Sequence, residues 1–142
     1  MSAMVGQWRL EQRDPNFGDF LACRQVGWLM RTLMTSSKAE VEYKLDRDTF
    51  TKLTTTYGGR VSRYPMPTSG EFTLDKTLSG RPETGRLHED GRGQMVQTMT
   101  FSDTGETAAV LNHRVSPDNN KLVVKMKCKD VTCTAVYTKH AA

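Results

Sequence analysis

Lys121-Leu122-Val123-Val124-Lys125-Met126-Lys127-Cys128, followed by Lys129-Asp130 and Val131-Thr132-Cys133-Thr134-Ala135-Val136-Tyr137-Thr138, decides the fold class of this chain. Leu122, Val124, Met126 and Cys128 alternate with Lys121, Lys125, Lys127 and Lys129, and Val123 is the one apolar residue on the outer set. Beyond the turn, Val131, Cys133, Ala135 and Tyr137 oppose Thr132, Thr134, Val136 and Thr138. A period of two sends successive side chains to opposite faces of a strand. The segment therefore reads as an antiparallel hairpin with one dry face and one wet face.

The same alternation recurs upstream. Val41-Glu42-Tyr43-Lys44-Leu45 is a strand ending in the turn Asp46-Arg47-Asp48, and Phe50 to Tyr57 is a Thr-rich strand ending at Gly58-Gly59. Val61 to Tyr64 and Glu71 to Leu74 are short strands separated by the proline-broken Pro65-Met66-Pro67. Gly80, Gly85 and Asp90-Gly91-Arg92-Gly93 mark turns, and Met95 to Phe101 is a further strand. Many short strands at roughly 8–12-residue spacing, without interleaved helices, predict an antiparallel sandwich or barrel.

One segment near the start breaks the pattern. Val5 to Glu11 is a first strand with Trp8 and Leu10 on its buried face, and Asp14-Pro15-Asn16 is a helix-start signal. From Phe17 to Ser36 the apolar period becomes helical: Phe17, Phe20, Leu21, Val26, Leu29, Met30, Leu33 and Met34. Gly27 and the polar Arg24-Gln25 pair divide the segment into two short helices. A helical hairpin between the first two strands is suited to cover the mouth of a barrel, which favours a barrel over a sandwich.

The bulk composition narrows function less than fold. At 142 residues one domain, residues 1–142, accounts for the chain, with 37% hydrophobic and 25% charged residues as in a soluble globular protein. A net charge of +4 permits attraction to anionic lipid, nucleic acid or anionic ligands without selecting among them. No long basic block suggests a nucleic-acid tail, and no run approaches the about 18 apolar residues of a membrane span. Cys23, Cys128 and Cys133 cannot all pair within the chain, and the first ten residues lack a leader's apolar core. The three are read as reduced thiols in the cytoplasm. No Cys/His cluster suggests a metal, and no cofactor motif occurs.

Six motifs in order carry a resemblance. Val5-Gly6-Gln7-Trp8-Arg9-Leu10, Asn16-Phe17-Gly18-Asp19-Phe20-Leu21 with Val26-Gly27-Trp28, Gly70-Glu71-Phe72, Ser79-Gly80-Arg81, Lys121-Leu122-Val123-Val124, and Val131 to Tyr137 are similar to the intracellular fatty-acid-binding protein family. That family is calycin-like and includes the cellular retinoid carriers. The likeness spans Val5 to Lys139, and Val26 to Arg31 looks closer to invertebrate members. It implies an all-β fold: an up-and-down antiparallel β-barrel (a β-clam) of about ten strands, capped by a helix-turn-helix lid at about residues 16–37. It also implies a monomeric carrier with no catalytic role, holding a long-chain fatty acid or related hydrophobic ligand in an internal cavity.

The family's usual carboxylate clamp of two arginines and a tyrosine is incomplete here. Tyr137 stands at the tyrosine position, but Ala135 replaces one arginine. The other falls on His113, or on Arg114 if the register slips by one. A carboxylate bound through His113, Tyr137 and water, or a neutral or retinoid-like lipid, both fit that pattern. The resemblance further places Arg81 at the ligand entrance and Phe17, Phe20, Leu21, Val26 and Met34 along the lid. Tyr57, Met99, Val124, Met126 and Ala135 complete the expected wall, with the other methionines as adaptable surface. Arg24, Arg31 and Lys38 put positive charge beside the lid, where transient contact with anionic membranes is expected. A lipid isomerase lacks a nucleophile–base pair here, and an oligonucleotide-binding barrel lacks exposed aromatics among its basic residues.

Overall fold

The computed structural model describes residues 1–36, 39–55, 61–75, 77–90 and 93–140. Among them, β1 (Gly6–Arg13) is followed by α1 (Phe17–Cys23) and α2 (Trp28–Ser36). Nine further strands follow among the described residues: β2 (Glu40–Asp46), β3 (Thr49–Thr55), β4 (Val61–Pro67), β5 (Glu71–Leu74), β6 (Glu83–Glu89), β7 (Gln94–Phe101), β8 (Thr107–Val115), β9 (Lys121–Cys128) and β10 (Val131–His140). They form a single sheet in the order β4-β3-β2-β1-β10-β9-β8-β7-β6-β5. Consecutive strands pair antiparallel except at β4 and β5, which touch without sharing a ladder, and the first and last strands pair with each other. The sheet thus curls into a nearly closed barrel with two helices between β1 and β2.

Closure follows from the alternation, because every strand has one apolar face to bury. Trp8, Phe50, Met66, Met95, Leu122, Cys133 and Ala135 are all almost wholly inaccessible. Each large side chain of this kind contributes about 1.5–3 kcal/mol by leaving water. The indole N–H of Trp8 donates to the Met4 carbonyl at 2.8 Å, so its one polar atom is satisfied. α1 buries Phe17, Phe20 and Leu21 against the barrel, and Val26 follows them. α2 buries no residue: Trp28, Leu29, Met30 and Leu33 are all exposed despite their helical spacing.

Several sequence expectations are corrected. Gly85 makes no turn; it lies inside β6 opposite Phe72 and Met99. A Cβ there would stand 2.5 Å from the Phe72 ring and 2.6 Å from the Met99 sulfur, so the glycine makes room for both. Pro65 and Pro67 do not break β4, because its ladder partner among the described residues is β3 and edge strands tolerate missing N–H donors. Asp14 and Asn16 give α1 no side-chain cap. Asp14 accepts the Thr134 backbone N–H at 2.9 Å and Asn16 donates to the Thr132 carbonyl at 2.9 Å, tying the helix entrance to β10.

The expectation of three reduced thiols is also overturned. Cys23, at the end of α1, and Cys128, at the end of β9, form a disulfide spanning 105 positions with their Cα atoms 6.0 Å apart. Cys133 alone is free, and it is buried. Residues so distant in the chain carry no spacing signal; only docking of α1 onto β9 and β10 brings them together. Tyr57, Lys38, the Gly58-Gly59 turn and Gly91-Arg92 lie outside the described residues.

Candidate functional site

Directly paired residues on antiparallel strands share a face, so the registers trace the inner wall row by row. One row runs Arg13, Ala135, Val124, His113, Met95; another runs Leu10, Tyr137, Leu122; a third runs Cys133, Met126, Leu111, Gln97, Leu87. Across the barrel a fourth row runs Gly6, Tyr43, Lys52, Tyr64. The wall is mainly aliphatic and sulfur-bearing, with a few polar groups set into it.

Those polar groups sense one another. His113 is 2% exposed, and a ring nitrogen lies 3.2 Å from the Met95 carbonyl oxygen. Burial, followed by the nearby positive charge of Lys52, pushes its pKa down to about 4, so the imidazole is neutral at physiological pH. It offers a hydrogen bond to a ligand, not a charge. Tyr43 stands edge-on to His113, with ring centroids 6.3 Å apart, and stacks on Phe50 at 5.2 Å. Burial first, and Tyr137 second, raise the Tyr43 phenol above its ordinary range. Tyr137 is raised by burial and pulled back by Arg13.

Lys52 is the other cation in these rows besides Arg13. Burial, and then the like charge of Arg24, lowers its pKa to about 8. Lys52 and Tyr137 both retain some accessible surface, yet both face inward by register and titrate as desolvated groups. An arrangement of aliphatic wall, neutral hydrogen-bonding groups and desolvated cation can hold a long apolar molecule with one polar end.

No family model matches the chain. Over 142 residues it is 29% identical to cellular retinoic acid-binding protein 2 of Mus musculus, covering 98% of this chain and 99% of that protein. It is 27% identical over 137 residues to sodium/calcium exchanger regulatory protein 1 of Doryteuthis pealeii, covering 96% of each. Among solved structures, the REP1-NXSQ fatty acid transporter superposes with a TM-score of 0.84 at 25% identity, over 100% of this chain and 99% of that one. Along its whole length in sequence, and in fold, the chain resembles the intracellular lipid-binding proteins.

The site residues expected from the sequence fall into distinct groups in the barrel. His113 rather than Arg114 faces inward: Arg114 is exposed on the outer face of β8, which corrects its place among the cavity residues. Tyr137, Val124, Met126 and Ala135 lie on the inner wall by register. Met99 is inward but packs with Phe101 and Ala108 in a separate buried group, where the Gln97 amide donates to its sulfur at 3.3 Å. Phe17, Phe20, Leu21 and Val26 join the core, with Met34 half-buried against it.

Arg81 is a clamp, fully engaged by protein. Its guanidinium donates to Gln25 Oε1 at 2.7 Å and to Asp103 at 2.7 Å, and it covers the Phe101 ring at 3.8 Å. It therefore ties the segment between the helices to the β7–β8 turn. Arg24 is likewise committed to Glu83, a carboxylate 1% exposed, at 3.1 Å.

Arg13, which the sequence reading missed, stands in register opposite Ala135. A bulge between Leu10 and Gln12 turns it inward, and burial lowers its pKa. Its guanidinium lies 3.9 Å over the Phe17 ring and donates to the Met34 and Thr35 carbonyls at 3.0 and 3.4 Å. It borders a cleft of about 310 Å³ between the end of β1 and the end of α2. Lys52 and Tyr64 were also missed. For Lys52 a signal existed, since it lies two residues beyond the wholly buried Phe50 in an alternating strand. For Arg13 none did, because a bulge reverses the alternation.

Proposed function

We propose that this protein reversibly binds and carries a long-chain fatty acid or related hydrophobic ligand inside its barrel, without catalysing a reaction on it. The observation that carries the reading is the inner wall itself: continuous rows of apolar side chains interrupted by a few desolvated polar groups. Burial of an acyl chain there contributes about 0.8 kcal/mol per CH₂ before the costs of association. The names of the relatives, a retinoic acid-binding protein and a fatty acid transporter, support an amphiphilic acid as the ligand.

The carrier acts as a monomer in the cytoplasm, with transient contact to anionic membranes. The likeness to cellular carriers supports that location. The Cys23–Cys128 bond argues against it, and thiol labelling in a freshly lysed reducing extract tests it.

Lipid extracted from the purified, denatured protein, identified by mass spectrometry, tests the main reading alongside displacement of a fluorescent fatty acid. Stoichiometric fatty acid with displacement by oleic acid supports it. Neutral lipid alone keeps the carrier and removes the acid. Absence of both lipid and probe binding overturns the carrier role.

A further inference from the structure

Among the described residues, Lys52 is a cation without a counter-ion on the inner wall. It lies on the same face as the buried Tyr43 of β2 and as Tyr64 of β4, its direct partners on either side. Among the described residues no carboxylate oxygen lies within 4.0 Å of its ammonium, and the ammonium donates no hydrogen bond. Glu83, an inward carboxylate of β6, is taken by Arg24 at 3.1 Å and by the Ser79 hydroxyl at 3.2 Å. The charged groups around Lys52 therefore sum to an excess of positive charge.

Such an ammonium is costly on an inward-facing wall. A desolvated charge is tolerated when it is paired and hydrogen-bonded, and nothing within the described protein pairs with this one. Its direct partners in register are both tyrosines, which offer hydroxyls but no compensating charge. An anion brought by the ligand supplies the missing partner. The two phenols beside it can donate to the same oxygens.

We propose that Lys52, flanked by Tyr43 and Tyr64, receives the carboxylate of the bound lipid, so that the head group is anchored on β2, β3 and β4. The inference rests on the carrier reading and deepens it. The ligand class becomes a lipid carboxylic acid, and the anchoring cation comes from β3, whereas Ala135 leaves the corresponding place on β10 without one. Arg13, the cation opposite Ala135, is spent on the carbonyls at the end of α2.

The test compares oleic acid with oleyl alcohol, which keeps the chain and removes the charge. Delipidated wild-type, Lys52→Met, Lys52→Arg and Tyr137→Phe proteins are titrated calorimetrically. Wild type is expected to prefer the acid. Lys52→Met is expected to lose about tenfold to a hundredfold in acid affinity, the weight of a charge-assisted hydrogen bond, while binding the alcohol at least as well. Lys52→Arg keeps the preference for acid and excludes misfolding as the cause.

Unchanged acid affinity in Lys52→Met, or a loss confined to Tyr137→Phe, overturns the head-group assignment and leaves the carrier reading intact. Failure of wild type to bind either molecule overturns the carrier reading itself.

Discussion

Replacing Lys52 by methionine should stabilise the empty protein while weakening its hold on an acid. In the folded barrel the lysine pKa is about 8, against an ordinary 10.5. The folded state thus binds fewer protons than the unfolded state between those two values. Its stability is lowest below about pH 8 and recovers as pH rises toward 10.5. The gap corresponds to about 3 kcal/mol at pH 7, and the lysine's partial accessibility places the realised gain nearer 1–3 kcal/mol.

Methionine matches the stem of lysine in length and adds apolar surface to the wall. Among the described residues, Tyr43, Tyr64, His113 and the Arg24–Glu83 pair neighbour the position, and they are common to both proteins. Urea denaturation of delipidated wild type and Lys52→Met, at pH 7 and again at pH 10, reads the effect directly. The variant should unfold at higher urea at pH 7, and its advantage should shrink at pH 10. A variant less stable than wild type at pH 7, or an advantage equal at both pH values, refutes the reasoning.

Three further outcomes are expected. His113 has its pKa lowered to about 4 from 6.5, so its contribution to stability is fully present above 6.5 and is lost as pH falls toward 4. His113→Gln should therefore show a shallower loss of stability than wild type across that interval in chemical denaturation. Gly85→Ala should destabilise the barrel by about 1–3 kcal/mol, because the new methyl meets both Phe72 and Met99; an unchanged denaturation midpoint contradicts the packing. Cys23→Ser should cost about 2–5 kcal/mol of stability in oxidising buffer, since the bond closes a loop of 105 positions. Reducing agent should bring wild type down to the variant, and equal stability in oxidising buffer rejects the cross-link.

The sequence by itself determined the class of the fold. Alternation in Lys121–Cys128 and Val131–Tyr137 marks two strands and their wet and dry faces, because the pleat forces a period of two whatever surrounds it. The change to helical spacing between Phe17 and Ser36 marks the two helices for a similarly local reason. Tyr137, Val124 and Met126 were legible as inner-wall residues on the same grounds.

Registers, bulges and long-range partners were not legible, because they depend on residues far away in the chain. The choice of His113 over Arg114 rests on a single step of register between β8 and β9. Arg13 faces inward only because the chain gains a residue near Glu11, and Gly85 is read as a turn until Phe72 and Met99 close over it. Cys23 finds Cys128 only once α1 lies on the barrel. Lys52 stands between the two cases: its strand alternation was visible in the sequence, but that no carboxylate among the described residues reaches it is a property of the assembled interior alone.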